Sequence, residues 1–251
     1  MKRKGNILSV FSAPKPVIGV IHCKGETEEE VLALAKKEIE IYESCGLDGV
    51  LVETYFGTYT QVEKVLSYLQ NKESKVPYGV NCLNVDAMGF YLAEKYGCDF
   101  LQIDSVGGHL KSRDDESLDA FFDFFREKCS AYLMGGIRFK YQPINSGRST
   151  EEDLKIGMER CDAICVTEDA TGQKTSMKKI QQFRDAIGEF PLFVCAGVTP
   201  DNVKEQLRVA DGVVVGSYFK DTYQDTGDVC KEHVLEIVKQ VEELRKELSN
   251  D

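Results

Sequence analysis

The chain has 251 residues, with 31 Lys+Arg against 42 Asp+Glu, a formal net charge of −11. Its 42% apolar content is enough to build a core, which excludes disorder as the main state; the acidic balance opposes binding to nucleic acid phosphates. The apolar stretch from Pro16 to Ile21 is too short for a signal peptide or a membrane span, so a cytoplasmic protein without a membrane span is expected.

The first apolar run is Pro16 to His22. A helical pattern follows over Thr27 to Ser44, with Val31, Leu32, Ala35 and Ile39 on one face and Thr27-Glu-Glu-Glu30 as a capping box. A strand at Leu47 to Glu53, a helix at Tyr59 to Leu69, a strand at Pro77 to Leu83 and a helix at Asp86 to Tyr96 come next. The alternation continues with strand Cys98 to Asp104, helix Glu116 to Cys129, strand Leu133 to Lys140 and helix Glu151 to Arg160. It closes with strand Cys161 to Thr167, helix Ser176 to Ile187, strand Pro191 to Gly197, helix Pro200 to Val209, strand Ala210 to Gly216 and helix Asp228 to Leu248. Thr150-Glu-Glu-Asp153 reads as a second capping box and Pro200 as a first helical residue. Continuous apolar strands alternating with helices, without a linker, predict one α/β domain: a (β/α)8 TIM barrel over residues 15–248, with 1–14 as an N-terminal extension. The nine cysteines form no Cys-x-x-Cys and read as buried free thiols.

In such a barrel, chemistry collects at the C-terminal ends of the strands. Asp48, Asp99, Asp162 and Asp211 each precede a strand, so they belong to the opposite face and are structural. At the strand ends stand Glu53, Asp104 and Lys140, which suit acid–base or Schiff-base catalysis. His22, Asn81, Thr167, Thr171 and Gly172 are candidate substrate contacts. The turns after the last two strands bring Gly197, Asn202, Gly216 and Ser217, whose backbone N–H groups suit a phosphate, with Lys220 as an assisting cation. His109 reads as a lid or surface histidine, and Arg148 as a loop clamp or a solvated charge. The ligand spacing favours no metal, and nothing in the pattern asks for a cofactor.

Together these segments resemble the BtpA/SgcQ family. The resemblance runs through Lys15-Pro-Val-Ile-Gly-Val-Ile-His22, Gly49-Val-Leu-Val-Glu53, Tyr78-Gly-Val-Asn-Cys-Leu83 with Asp86, and Ala163-Ile-Cys-Val-Thr167 with Thr171-Gly172. It ends in Gly197-Val-Thr-Pro-Asp-Asn-Val203 and Ala210-Asp-Gly-Val-Val-Val-Gly216. It implies a TIM barrel, in a family named for a cyanobacterial factor of photosystem I biogenesis that also has members encoded with sugar-transport genes. Glu53, Asn81, Asp86, Lys140, Thr171 and Gly172 match the family pattern. Cys23-Lys-Gly-Glu26, Thr54, Asp104, Tyr141 and Glu168 depart from it. Two functions fit: an enzyme acting on a phosphorylated small molecule, such as a sugar phosphate or nucleotide-like ester, by isomerase, lyase or hydrolase chemistry; or a non-catalytic assembly or binding factor on the same barrel. Homo-oligomer formation is open in both.

Overall fold

Eight parallel strands close on themselves in sequence order, β8 pairing with β1. They are β1 (Val17–Ile21), β2 (Gly49–Glu53), β3 (Tyr78–Asn81), β4 (Phe100–Gly107), β5 (Tyr132–Ile137), β6 (Ala163–Val166), β7 (Leu192–Val194) and β8 (Gly212–Val215). The surrounding helices are α1 (Glu28–Ser44), α2 (Tyr59–Lys72), α3 (Asp86–Lys95), α4 (Asp115–Lys128), α5 (Thr150–Arg160), α6 (Met177–Ile187), α7 (Val203–Val209) and α8 (Lys231–Ser249). This computed structural model describes residues 5–250; residues 1–4 and 251 of the expected domain lie outside it. The expected TIM barrel, a single α/β domain, is borne out. Among the described residues no helix is long and apolar enough to cross a membrane.

Strand alternation divides the core in two. Val17, Ile21, Val50 and Val52 face the helices, whereas Ile18, Val20, Leu51, Met134, Phe193 and Val214 fill the barrel. The N-terminal segment completes the inner core. A short 3-10 turn at Ile7–Val10, capped by the Asn6 side chain, delivers Ile7 and Phe11 into it. The Phe11 ring lies 6.0 Å from Phe100 and 6.3 Å from Phe193, near the strand starts, so this segment plugs the end of the barrel opposite the C-terminal ends of the strands.

The four repeated aspartates share one task. Each accepts a backbone N–H from the start of the strand before its own: Asp48 from Val17 at 2.8 Å, Asp99 from Tyr78 at 3.0 Å, Asp162 from Leu133 at 2.8 Å and Asp211 from Leu192 at 2.9 Å. Three carry an arginine: Asp48 pairs with Arg245, Asp211 with Arg184, and Asp162 takes both ends of the buried Arg126 guanidinium. Their structural reading fits this geometry.

Several boundaries move. The capping box of α5 is Ser149 with Glu152; Asp153 instead is fully buried against Arg138. Pro200 sits in a turn, and α7 begins at Val203. β4 runs past Asp104 to Gly107, with a register shift after Ile103. All nine cysteines are free, and eight are buried.

Candidate functional site

A cavity of about 320 Å³ opens at the C-terminal ends of the strands. One side carries Glu53 at the end of β2, Gln102 in β4 and Lys140 in the loop after β5, and His22, just after β1, stands between Glu53 and Gly216. The other carries Gly197 and Thr199 after β7, with Gly216, Ser217 and Asp225 after β8. Thr171 and Gly172 also line it.

The register places Glu53 beside Asn81 across β2 and β3. The Asn81 Nδ2 donates to Asp104 Oδ1 at 3.0 Å and reaches Glu53 Oε1 at 3.5 Å, tying two carboxylates together. Burial pushes the Glu53 carboxyl up to about 7; the Lys140 charge pulls the other way and Asp104 adds to the rise. Burial likewise raises Asp104, against the pull of Asn81 and Lys140. Glu53 therefore exchanges a proton near neutral pH, as an acid–base group must.

His22 is displaced the other way. Burial, helped by the charges of Lys220 and Lys140, lowers its ring to about 4, so it is neutral at pH 7. Its Nδ1 lies 3.3 Å from the Asp225 carbonyl, which only accepts; Nδ1 thus carries the proton, and Nε2 presents a lone pair 3.8 Å from Glu53 Oε2. With a neutral ring this contact is not an ion pair. Tyr55 packs on the ring, centroids 4.8 Å apart.

Lys140 is aimed by its backbone. Arg138 and Tyr141, at φ of 48° and 62°, bracket Phe139 and Lys140, and the Lys140 N–H donates to the Thr167 hydroxyl at 2.7 Å. Left-handed residues of this kind carry strain of about 1–2 kcal/mol each and cluster at functional sites. Gly197 is also left-handed, and a Cβ there would stand 2.2 Å from the Gln173 carbonyl oxygen, so the β6 and β7 loops meet only because it is glycine.

Other expected site residues stand elsewhere. Asn81, Asp104 and Thr167 do not line the cavity and support residues that do. Asn202 is buried, and its amide is spent within its own loop, accepting from the Thr199 N–H and donating to the Gly197 carbonyl, both at 2.9 Å. It shapes the turn and does not face a phosphate. The Ser217 hydroxyl donates to Asp225 Oδ1 at 2.6 Å. Lys220 is fully buried on Glu38 at 2.7 Å and does not line the cavity. Arg148 pairs with Asp115, and His109 with the Ser105 hydroxyl at 2.7 Å.

Sequence reading missed Gln102, Tyr55 and Asp225. Gln102 stands two residues before Asp104 on a strand, hence on the same face, and is a polar residue inside an apolar run. It is 4% exposed, and its Oε1 has no protein partner among the described residues. Tyr55 and Asp225 lie in loops whose course no period announces.

The fold and this mouth define a TIM-barrel protein with a cavity lined by polar and titratable side chains at its C-terminal face. The BtpA family model matches residues 145–243 of the chain, as the strand-end motifs led one to expect. It is 23% identical over 245 residues to the photosystem I biogenesis protein BtpA of Synechocystis, covering 86% of this chain and 84% of that one. An uncharacterised protein of Pyrococcus furiosus is 26% identical over 261 residues, covering 90% and 94%. Among solved structures, the (S)-3-O-geranylgeranylglyceryl phosphate synthase of Thermoplasma acidophilum, in complex with sn-glycerol-1-phosphate, superposes with a TM-score of 0.63 at 13% identity, covering 97% of this chain and 99% of that one. The thiamine phosphate pyrophosphorylase of Pyrococcus furiosus gives 0.61 at 14% identity, covering 92% and 96%.

Proposed function

We propose that the protein is an enzyme that binds a phosphorylated small molecule in this cavity and transforms it by proton transfer. The observation that carries the reading is one cavity with two unlike ends. Glu53, poised near neutrality, and Lys140 share one end; the glycine turns after β7 and β8 form the other, and the neutral His22 stands between Glu53 and Gly216. Phosphate at the second end would hold a sugar phosphate or nucleotide-like ester with its reacting carbons toward the first. Glu53 would give or take the proton, Lys140 would stabilise developing negative charge, and Gln102 Oε1 would accept from a ligand hydroxyl. Isomerase, lyase or aldolase, and hydrolase chemistry all use these groups. The names of the structural neighbours, a phosphate synthase holding a glycerol phosphate and a thiamine phosphate enzyme, support the same ligand class. In this reading the protein acts in the cytoplasm and needs neither metal nor cofactor.

A thermal-shift screen of matched phosphorylated and unphosphorylated sugars and nucleosides tests it. A ligand at 100 times its Kd adds about 2.7 kcal/mol, and that stabilisation is expected from phosphorylated compounds only. Equal stabilisation by both sets, or by neither, would refute the reading.

One observation favours a non-catalytic binding role. Phe56, Val85, Leu110, Tyr141 and Ile144, on the loops after β2, β3, β4 and β5, are all exposed, Tyr141 by 69%. A protein partner covering that rim would give a stable complex in size-exclusion chromatography without ligand stabilisation in the screen.

A further inference from the structure

The connection from β8 to α8 folds back over the glycine end of the cavity. Lys220 and Val229 pair as an antiparallel bridge, and the Asp221 N–H donates to the Asp228 carbonyl at 2.8 Å, closing residues 222–227 into a loop. Lys24, from the loop after β1, pins that loop. Its Nζ donates to the carbonyls of Thr226 at 2.8 Å and Gly227 at 3.1 Å and pairs with the Asp228 carboxylate. So held, Asp225 reaches the cavity wall. Its Oδ1 takes the Ser217 hydroxyl at 2.6 Å, and its carbonyl faces His22 Nδ1 at 3.3 Å.

A carboxylate here is at odds with a plain anion site. Ser217 is the hydroxyl beside Gly216 that a phosphate would use, and it already donates to an anion. The cation nearest in sequence, Lys220, is committed to Glu38. Phosphate and the Asp225 carboxylate therefore compete for the same donor, and they repel each other across it.

We infer that Asp225 is the specificity-determining residue of the anion end: it occupies the Ser217 hydroxyl as an internal competitor, and a phosphorylated ligand binds by displacing it. This rests on the phosphate reading above. Bare inorganic phosphate, with no contacts beyond that end, is penalised. A phosphorylated ligand that also engages Gln102, Glu53 and Lys140 overcomes the competition. The loop thus selects for ligands that fill both ends.

Calorimetric titration with inorganic phosphate tests this. Asp225→Asn keeps the shape and removes the charge, and is expected to bind phosphate at least about tenfold more tightly than wild type. Ser217→Ala added to Asp225→Asn is expected to reverse most of that gain. Lys24→Gln frees the loop without touching Asp225 and is expected to tighten phosphate binding in the same direction, which provides a second arm if Asp225→Asn folds poorly. Phosphate binding by wild type that is unchanged or weakened in Asp225→Asn and Lys24→Gln would overturn the competitor role and leave the phosphate reading standing. Failure of wild type and every variant to bind phosphate would overturn both.

Discussion

Glu53 and His22 are buried together, and burial moves each toward its neutral form, Glu53 up to about 7 and His22 down to about 4. The consequences for stability have opposite signs. A carboxyl with a raised folded value contributes stability that is fully present below its unfolded value near 4.5 and lost as pH rises through 7. A histidine with a lowered value contributes stability that is present above 6.5 and lost as pH falls through 4. Glu53→Gln removes the first slope and keeps the second. Urea unfolding of both proteins at pH 4.5 and pH 8 should show the variant gaining on wild type by about 3 kcal/mol as pH rises. Parallel behaviour of the two would mean that Glu53 is not held protonated by its surroundings. Glu53, Lys140 and His22 were legible as residues of the strand-end cavity because polar groups at the ends of apolar strands have one place to go. Gln102 was legible in principle, sharing the face of Asp104 by period two. Asp225 was not: its position depends on a loop pinned by Lys24, a contact spanning 204 residues between Lys24 and Asp228 that no local pattern encodes.

Among the elements, the repeated aspartates stitch β1, β3, β5 and β7 to β2, β4, β6 and β8 in the same way, but not with equal stakes. Asp162 neutralises Arg126, which is 4% exposed, so Asp162→Asn leaves a buried guanidinium without its counter-charge and should cost about 3–5 kcal/mol. Asp99 has no arginine partner among the described residues, and Asp99→Asn keeps an acceptor for the Tyr78 N–H. That change should cost about 1 kcal/mol. Denaturant midpoints of the two variants check the ordering; equal losses would show that the strand cap, and not the ion pair, carries the energy. The repeat was visible in sequence because each aspartate precedes an apolar strand, and the eight strands and eight helices were visible because continuous apolar runs alternate with segments of period 3.6 along the chain. What escaped were the ends. Ser149 out-competed Thr150 as the helix cap because Asp153, the partner that a cap at Thr150 needs, is drawn inward to Arg138. Pro200 was displaced from α7 because Asn202 binds both Thr199 and Gly197 and holds residues 197–202 as a turn.

At the scale of the whole molecule, the barrel separates stability from chemistry along its axis. The strand starts hold the aspartate caps and the plug of Ile7 and Phe11; the strand ends hold the strained Lys140 segment, the raised Glu53 and the loop carrying Asp225. The separation predicts a crossed pair of phenotypes. Phe11→Ala removes a nearly buried ring packed between Phe100 and Phe193, and should lower stability by about 3–5 kcal/mol. Because the plug lies beyond the inner core from the cavity, the variant should keep the affinity of a stabilising phosphorylated ligand within about twofold, since distant independent sites add. Lys140→Ala should do the reverse. Its side chain lines the cavity, so the unfolding free energy should change by less than about 1 kcal/mol, while the ligand response is lost. Denaturant unfolding with and without ligand reads both effects in one experiment. A Phe11→Ala variant with lost ligand response would mean that the two ends are coupled through the inner core of Val20, Leu51, Cys195 and Val214, and that the plug tunes the site as well as closing the barrel.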